Sequence, residues 1–214
     1  MQKIIRKISQ RILTLRGIVV NNCSIGTNVD IKRGAKIIDT TVGHATYIGP
    51  EARLFGVDLG PYVSIGPRVT AGENEHEQKL FTTSDILLEC IERKNYHTQK
   101  KLRTEIGADA WVGANAFVRK GVKIGMGAIV GAHAVVLNDL PAYAIAVGVP
   151  ARIIGYRFSP ETCKRLEASS WWSLEKEQLQ TAILGRYGAA ESATMQSEEE
   201  ILSFVEEIST RLEN

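Results

Sequence analysis

The chain has 214 residues, 44% of them hydrophobic and 23% charged, and a formal net charge of +2. So near-neutral a balance excludes a protein that coats nucleic acid, and no apolar run reaches the roughly eighteen residues a membrane-spanning helix needs. Cys23, Cys90 and Cys163 lack CxxC spacing, which excludes a disulfide framework and a cysteine-based zinc site and makes a cytoplasmic setting the expectation.

The N-terminus lacks the zones of a signal peptide. Residues 1–16 instead predict a basic amphipathic helix, with Ile4, Ile5, Ile8, Ile12 and Leu15 along one face and Lys3, Arg6, Lys7, Arg11 and Arg16 elsewhere. Such a helix packs against the rest of the protein or makes peripheral contact with the inner membrane surface.

From residue 17 to 155 the chain counts in sixes. Ile25, Ile31 and Ile37 open the pattern, followed by Val42, Ile48 and Leu54 and then by Leu59 and Ile65. It resumes as Ile106, Val112, Val118, Ile124, Val130 and Val136. Glycine follows many of these positions, as at Gly26, Gly43, Gly49, Gly60, Gly66, Gly107, Gly113, Gly125 and Gly131. Four residues after the later apolar members come Ala110, Ala116, Val122, Ala128, Ala134 and Leu140. The step shortens to five between Ile37 and Val42 and between Leu54 and Leu59. Neither a helical period nor simple alternation fits this grid, and sandwich turns come at wider spacing. It predicts a mainly β fold, a parallel β-helix in which three hexads close one triangular coil, with glycine serving the tight turns.

The count stops over residues 73–104, a loop inserted in the prism whose acids come mostly first and whose bases come after. A loop of that length inside a compact domain marks function or disorder. Residues 156–214 form a C-terminal helical region. Ser159 is placed as an N-cap with Pro160 in the first turn, and Ser197 with Glu200 as a capping box ahead of Ile201, Phe204, Val205 and Ile208.

The grid, the loop and the segment GVPARIIGYRFSPE together resemble the hexapeptide-repeat acyltransferases, whose fold is a left-handed parallel β-helix. The stretch 105–172 is similar to the branch holding the streptogramin and chloramphenicol acetyltransferases and many surface-polysaccharide O-acetyltransferases. The resemblance rests on Gly148, Pro150, Ala151, Arg152, Ile154, Tyr156–Arg157–Phe158 and Trp171–Trp172, and covers about residues 20–175. It implies a homotrimer with acetyl-CoA as acyl donor in the groove between adjacent prisms, no required metal, and a loop histidine as general base. By motif position it assigns Ala114 and Ala132 to backbone contacts with the pantetheine arm and Arg152 to the CoA phosphates. Asn138 stands in the cofactor-binding position where relatives often carry lysine, and Gly155 where a basic residue is expected; Lys120 or the basic half of the loop would compensate.

Transfer from a thioester to a hydroxyl requires the acceptor oxygen to lose its proton as it attacks. A neutral histidine takes it, a contribution of about 10²–10⁴-fold. His76 lies just past the interrupted hexad and is the catalytic candidate, its ring oriented by Glu73, Glu75 or a backbone carbonyl. His97 lies in the same loop, and His44 and His133 read as exposed turn residues. Cys90 offers a rival thiol nucleophile, but its apolar setting reads as packing. A zinc-dependent carbonic anhydrase on the same prism needs three converging histidines, and a non-catalytic scaffold is a further class. The expected acceptor is a hydroxyl of a sugar or surface-polysaccharide precursor; the alternatives are an antibiotic of the streptogramin or chloramphenicol type and an amino sugar.

Overall fold

A computed structural model describes residues 17–76, 78, 81–84, 87, 102–188 and 197–210. The expected helix over 1–16, His97 and Cys90 lie outside the described residues.

The hexads form short strands that fall in turn on three sheets, giving the left-handed parallel β-helix that the grid and the resemblance imply. The first face carries Val19–Asn21, Lys36–Ile38, Arg53–Phe55, Thr70–Ala71, Phe117–Val118 and Val135–Val136. The second carries Ser24–Ile25, Thr41–Val42, Val57–Leu59, Thr104–Ile106 and Lys123–Ile124. On the third lie Asp30–Ile31, Tyr47–Ile48, Ser64–Ile65, Trp111–Val112, Ile129–Val130, Ala144–Val147 and, antiparallel at its edge, Arg152–Tyr156. Parallel register stacks equivalent hexad positions: Ile37 pairs with Leu54, Leu54 with Ala71, Ala71 with Val118, and Val118 with Val136. All five are fully buried. Each Ile, Leu or Val so placed contributes on the order of 1.5–3 kcal/mol of transfer energy. The smaller residues four positions on, such as Ala110, Ala116 and Ala128, are buried as well and fill the corners of the prism.

Two separate constraints shape the turns. A Cβ on Gly43 would lie 2.4 Å from the backbone of Gly60, and one on Gly113 2.6 Å from the amide of Ala132. The hexad glycine therefore exists for clearance against the next coil. The left-handed backbone falls two positions later, where Asn28, Glu51, Arg68, Asp109, Asn115 and His133 all have φ between 53° and 59°. Asparagine and aspartate tolerate that region best among side-chain-bearing residues.

The corner between the first and second faces carries the long loop, which leaves after Thr70–Ala71 and returns at Thr104–Ile106. We call it the loop corner. Both five-residue steps fall on it, since Ile37 and Leu54 lie on the first face and Val42 and Leu59 on the second. The corner between the second and third faces is covered by helices and is the helix corner; that between the third and first is the groove corner.

The helix α1 (Pro160–Ser169) starts as the sequence predicts, Ser159 accepting from the amide of Thr162. Helix α2 (Lys176–Tyr187) opens on a capping box of Glu175 and Gln178. In α3 (Glu198–Ser209), Ser197 accepts from the amide of Glu200, and Leu202, Phe204, Val205 and Ile208 are buried. With Tyr143, Leu166, Leu174 and Leu179 they make a second core between helices and prism.

Candidate active site

The loop corner gathers the polar chemistry. His76 is exposed, and its Nδ1 lies 2.8 Å from the carbonyl oxygen of Thr83. A carbonyl only accepts, so in the neutral ring Nδ1 carries the proton and Nε2 holds the lone pair. Among the groups the sequence offers to orient this ring, the backbone carbonyl takes the part. Glu73 is engaged elsewhere, its carboxylate 3.0 Å from Arg53 on the first face.

Both stems of the loop are tied to the prism. At the start, Lys120 donates to Asn74 beside the Arg53–Glu73 pair. At the end, Arg103 grips Asp58 with both arms of its fork, at 2.5 and 2.7 Å, and donates also to the carbonyls of Asp39 and Val57. The guanidinium beside Asp58 holds its carboxyl below the usual carboxylate range, and the carboxylate in turn raises Arg103. The pair is therefore fully ionised at neutral pH. It is also part-exposed, so its contribution to stability is small and its geometric effect on the loop stem is the larger one.

Beside these stems, at the two shortened steps, lies a recess of 710 Å³. Its lining comes from five successive levels of the corner: Asn22 to Ser24, Ile38 to Thr41, Phe55 and Gly56 with Asp58, then Asn74 with Arg103, then Lys120. Cys23 faces it, but burial pushes its thiol up, and its Sγ donates to the carbonyls of Asn21 and Ile37. A thiol so held is a poor nucleophile.

The groove corner carries three of the four residues expected at the acyl donor. Ala114 and Ala132 follow stacked hexad glycines there. The turn leading to Arg152 leans on the same corner, with the amide of Val135 donating to Gly148 and that of Ala151 to Val135. Arg152 itself is exposed, Nη1 donating to Ala151. Beside them runs a polar ladder that sequence reasoning missed: Arg68 donates to Asn115, and the Asn115 amide lies 3.3 Å from His133 Nε2. A signal for it was present, since these three occupy the same hexad position on successive coils. Asn138 is not in this group. It follows Val136 on the first face and so stands at the loop corner, with His76. The expected site residues of one chain thus stand on two different corners, with the first face between them.

His44 departs from its expected place as an exposed turn residue. At the helix corner it is part-buried; its Nε2 lies 3.0 Å from the carbonyl of Leu174, and its ring meets Tyr62 edge-on. It fastens the C-terminal helices. The three described histidines, His44, His76 and His133, therefore sit on three different corners, and within one chain they do not converge as a three-histidine metal site requires.

Comparison with known proteins bears on this arrangement. Residues 103–138 match the family model for bacterial transferase hexapeptide (six repeats). The chain is 40% identical over 151 residues to a probable macrolide acetyltransferase of Lysinibacillus sphaericus, covering 67% of this chain and 81% of that one. It is 30% identical over 146 residues to a chloramphenicol acetyltransferase of Agrobacterium fabrum, covering 65% and 70%. A match to the chloramphenicol acetyltransferase of Escherichia coli, at 41% identity, spans 37% of this chain and 38% of that relative's length. Among solved structures, a variant of AntD, an N-acyltransferase from Bacillus cereus in complex with dTDP and coenzyme A, has the same fold. It has a TM-score of 0.58 and 19% identity, over 78% of this chain and 97% of that one. With its hexad prism, its inserted loop and these relatives, the chain belongs to the hexapeptide-repeat acyltransferase family.

Proposed function

We propose that this protein transfers an acetyl group from acetyl-CoA to a hydroxyl of a sugar or surface-polysaccharide precursor, with His76 as general base. The observation that supports the reading is the Thr83 carbonyl at 2.8 Å from Nδ1, which favours the neutral tautomer with its proton on Nδ1 and its lone pair on Nε2. As the acceptor oxygen attacks the thioester carbonyl carbon, its proton passes to Nε2. The tetrahedral intermediate then collapses, the C–S bond breaks, and the thiolate of CoA leaves and takes a proton. Thiolate is a good leaving group, so the base is the main chemical aid the protein must supply, about 10²–10⁴-fold.

In this reading the pantetheine arm lies along Ala114 and Ala132, and Arg152 and Asn138 face the CoA phosphates. Because one chain carries His76 and Asn138 on one corner and Ala114, Ala132 and Arg152 on another, a homotrimer completes the site. The loop corner of one copy then meets the groove corner of the next. The relatives from Lysinibacillus and Agrobacterium favour a second reading, in which the acceptor is an antibiotic hydroxyl.

The test is CoA release from acetyl-CoA with a panel of methyl glycosides, nucleotide sugars and chloramphenicol, in wild type and His76→Ala. A loss of about 10²-fold or more in the variant, with CoA affinity retained, is the expected result. Equal rates in both remove His76 from the chemistry.

A further inference from the structure

The lining of the recess at the loop corner has a pattern that restricts what it holds. Three donor–acceptor pairs ring it. Asn22 donates to Asp39 at 2.5 Å, Arg103 to Asp58 at 2.5 and 2.7 Å, and Lys120 to Asn74 at 2.5 Å. Each pair joins side chains from different coils, so hydrogen-bond donors and acceptors alternate around the rim. Two carboxylates face two cations, which leaves the recess without excess charge of either sign.

A phosphate only accepts hydrogen bonds and an ammonium only donates them, so each would meet half of this rim with the wrong polarity. A hydroxyl both donates and accepts. A ring bearing several hydroxyls satisfies the carboxylates and the nitrogen donors together. Phe55 contributes an aromatic wall, with Arg53 over its ring, on which the apolar face of a pyranose can lie. The volume of 710 Å³ lies within the range of small-molecule sites, about 300–1,000 Å³. Both shortened hexad steps, Ile37 to Val42 and Leu54 to Leu59, run through the lining of the recess.

We propose that this recess is the acceptor site and that it takes a neutral, polyhydroxylated sugar ring, with Asp39 and the Asp58–Arg103 pair reading its hydroxyls. The proposal rests on the acyl-transfer reading above, and it adds the place and the chemical class of the acceptor. An analogue lacking those hydroxyls forfeits the bonds to Asp39 and to the Asp58–Arg103 pair, which stay open to water, so the loss per hydroxyl is about 0.5–1.5 kcal/mol. Deoxy sugars and chloramphenicol are therefore weaker occupants.

The experiment measures binding and turnover separately. Saturation-transfer NMR and titration calorimetry use methyl glucoside, galactoside and mannoside, their deoxy analogues and chloramphenicol, each with CoA present. The proteins are wild type, Asp39→Asn, which keeps shape and removes a charge, and Ser24→Trp, which plugs the recess from an exposed strand position. At least one glycoside binds wild type, and both variants weaken it tenfold or more while CoA affinity is unchanged. With an active acceptor, the variants raise its KM and leave kcat near wild type, whereas His76→Ala lowers kcat and leaves acceptor binding intact. Glycoside binding indifferent to both substitutions overturns the recess as the acceptor site, whatever His76→Ala does. Binding of chloramphenicol with no glycoside binding overturns the sugar class. Full activity in His76→Ala together with raised KM in the recess variants sinks the base and leaves the recess standing.

Discussion

Two corners of the same prism were put to opposite uses. At the helix corner the hexads keep their six-residue spacing between Val42 and Ile48 and between Leu59 and Ile65, and the turns are packed over. His44 and Tyr62 both reach the carbonyl of Leu174, Thr27 donates to Glu175, and Asn28 donates to Glu177. At the loop corner two spacings shorten to five, and among the described residues the side chains gather around open volume. A repeat fold has a core that is indifferent to what its corners carry, because the inward residues stack identically at every coil. Stability and chemistry can therefore be assigned to different edges of one prism, and single substitutions should separate them.

The largest separation lies between two histidines. His76→Ala at the loop corner is expected to lower the acetyl-transfer rate by about 10²–10⁴-fold and to leave the melting temperature unchanged. His44→Ala at the helix corner is expected to do the reverse. It removes one hydrogen bond and an edge-on ring contact, about 1–3 kcal/mol together, while activity per folded molecule stays at wild type. Thermal melts run beside initial rates decide it; a stable but inactive His44→Ala would erase the distinction between the corners.

A pair of glycines sharpens the contrast at smaller amplitude. Gly43 stands at the helix corner with backbone 2.4 Å from where a Cβ would be, so Gly43→Ala forces two coils apart. Overpacking of this kind costs about 1–3 kcal/mol or more. Gly56 stands at the loop corner with φ +62° and open space around it. Gly56→Ala meets only the left-handed penalty of about 1–2 kcal/mol, at a position that lines the recess. Denaturant midpoints should rank Gly43→Ala the less stable, and only Gly56→Ala should alter acceptor KM.

These contrasts explain what was legible in the sequence. The prism was legible because its cause is local and repeated: a β-branched residue every sixth position, with clearance after it. The assignment of glycine to turns conflated two positions, one needing clearance and one needing positive φ, since both fall in the same three-residue bend. The shortened steps were visible as irregularities, and their spacing by one coil carried the information that they stack on one corner. The clamp of His44 was not legible, because its partner Leu174 lies 130 residues away and no local pattern links them. The ring-orienting carbonyl of Thr83 was equally silent, since any backbone could have served. Asn138 shows what the phase of the hexads adds: it stands at the loop corner, while the other three residues expected at the acyl donor stand at the groove corner.

The smallest expected effect tests the helix corner alone. The Tyr62 hydroxyl donates to Leu174 at 2.7 Å, and burial, followed by the charges of Glu175 and Glu177, pushes its pKa up to about 12. Tyr62→Phe removes that bond but leaves the Leu174 carbonyl with His44, so the loss is about 1 kcal/mol near neutral pH. The pH dependence has a definite sign. An unfolded tyrosine ionises near pH 10, so the stabilisation from Tyr62 is complete below that and is lost as pH rises toward 12. Tyr143, raised further by its own burial, adds to the same alkaline slope. Urea midpoints at pH 9, 10 and 11 should fall steeply in wild type and less steeply in Tyr62→Phe, with Tyr143 supplying the remainder. Equal slopes would mean that the phenol ionises without disturbing the helices. The hold of the helix corner would then rest on His44 and the two glutamates.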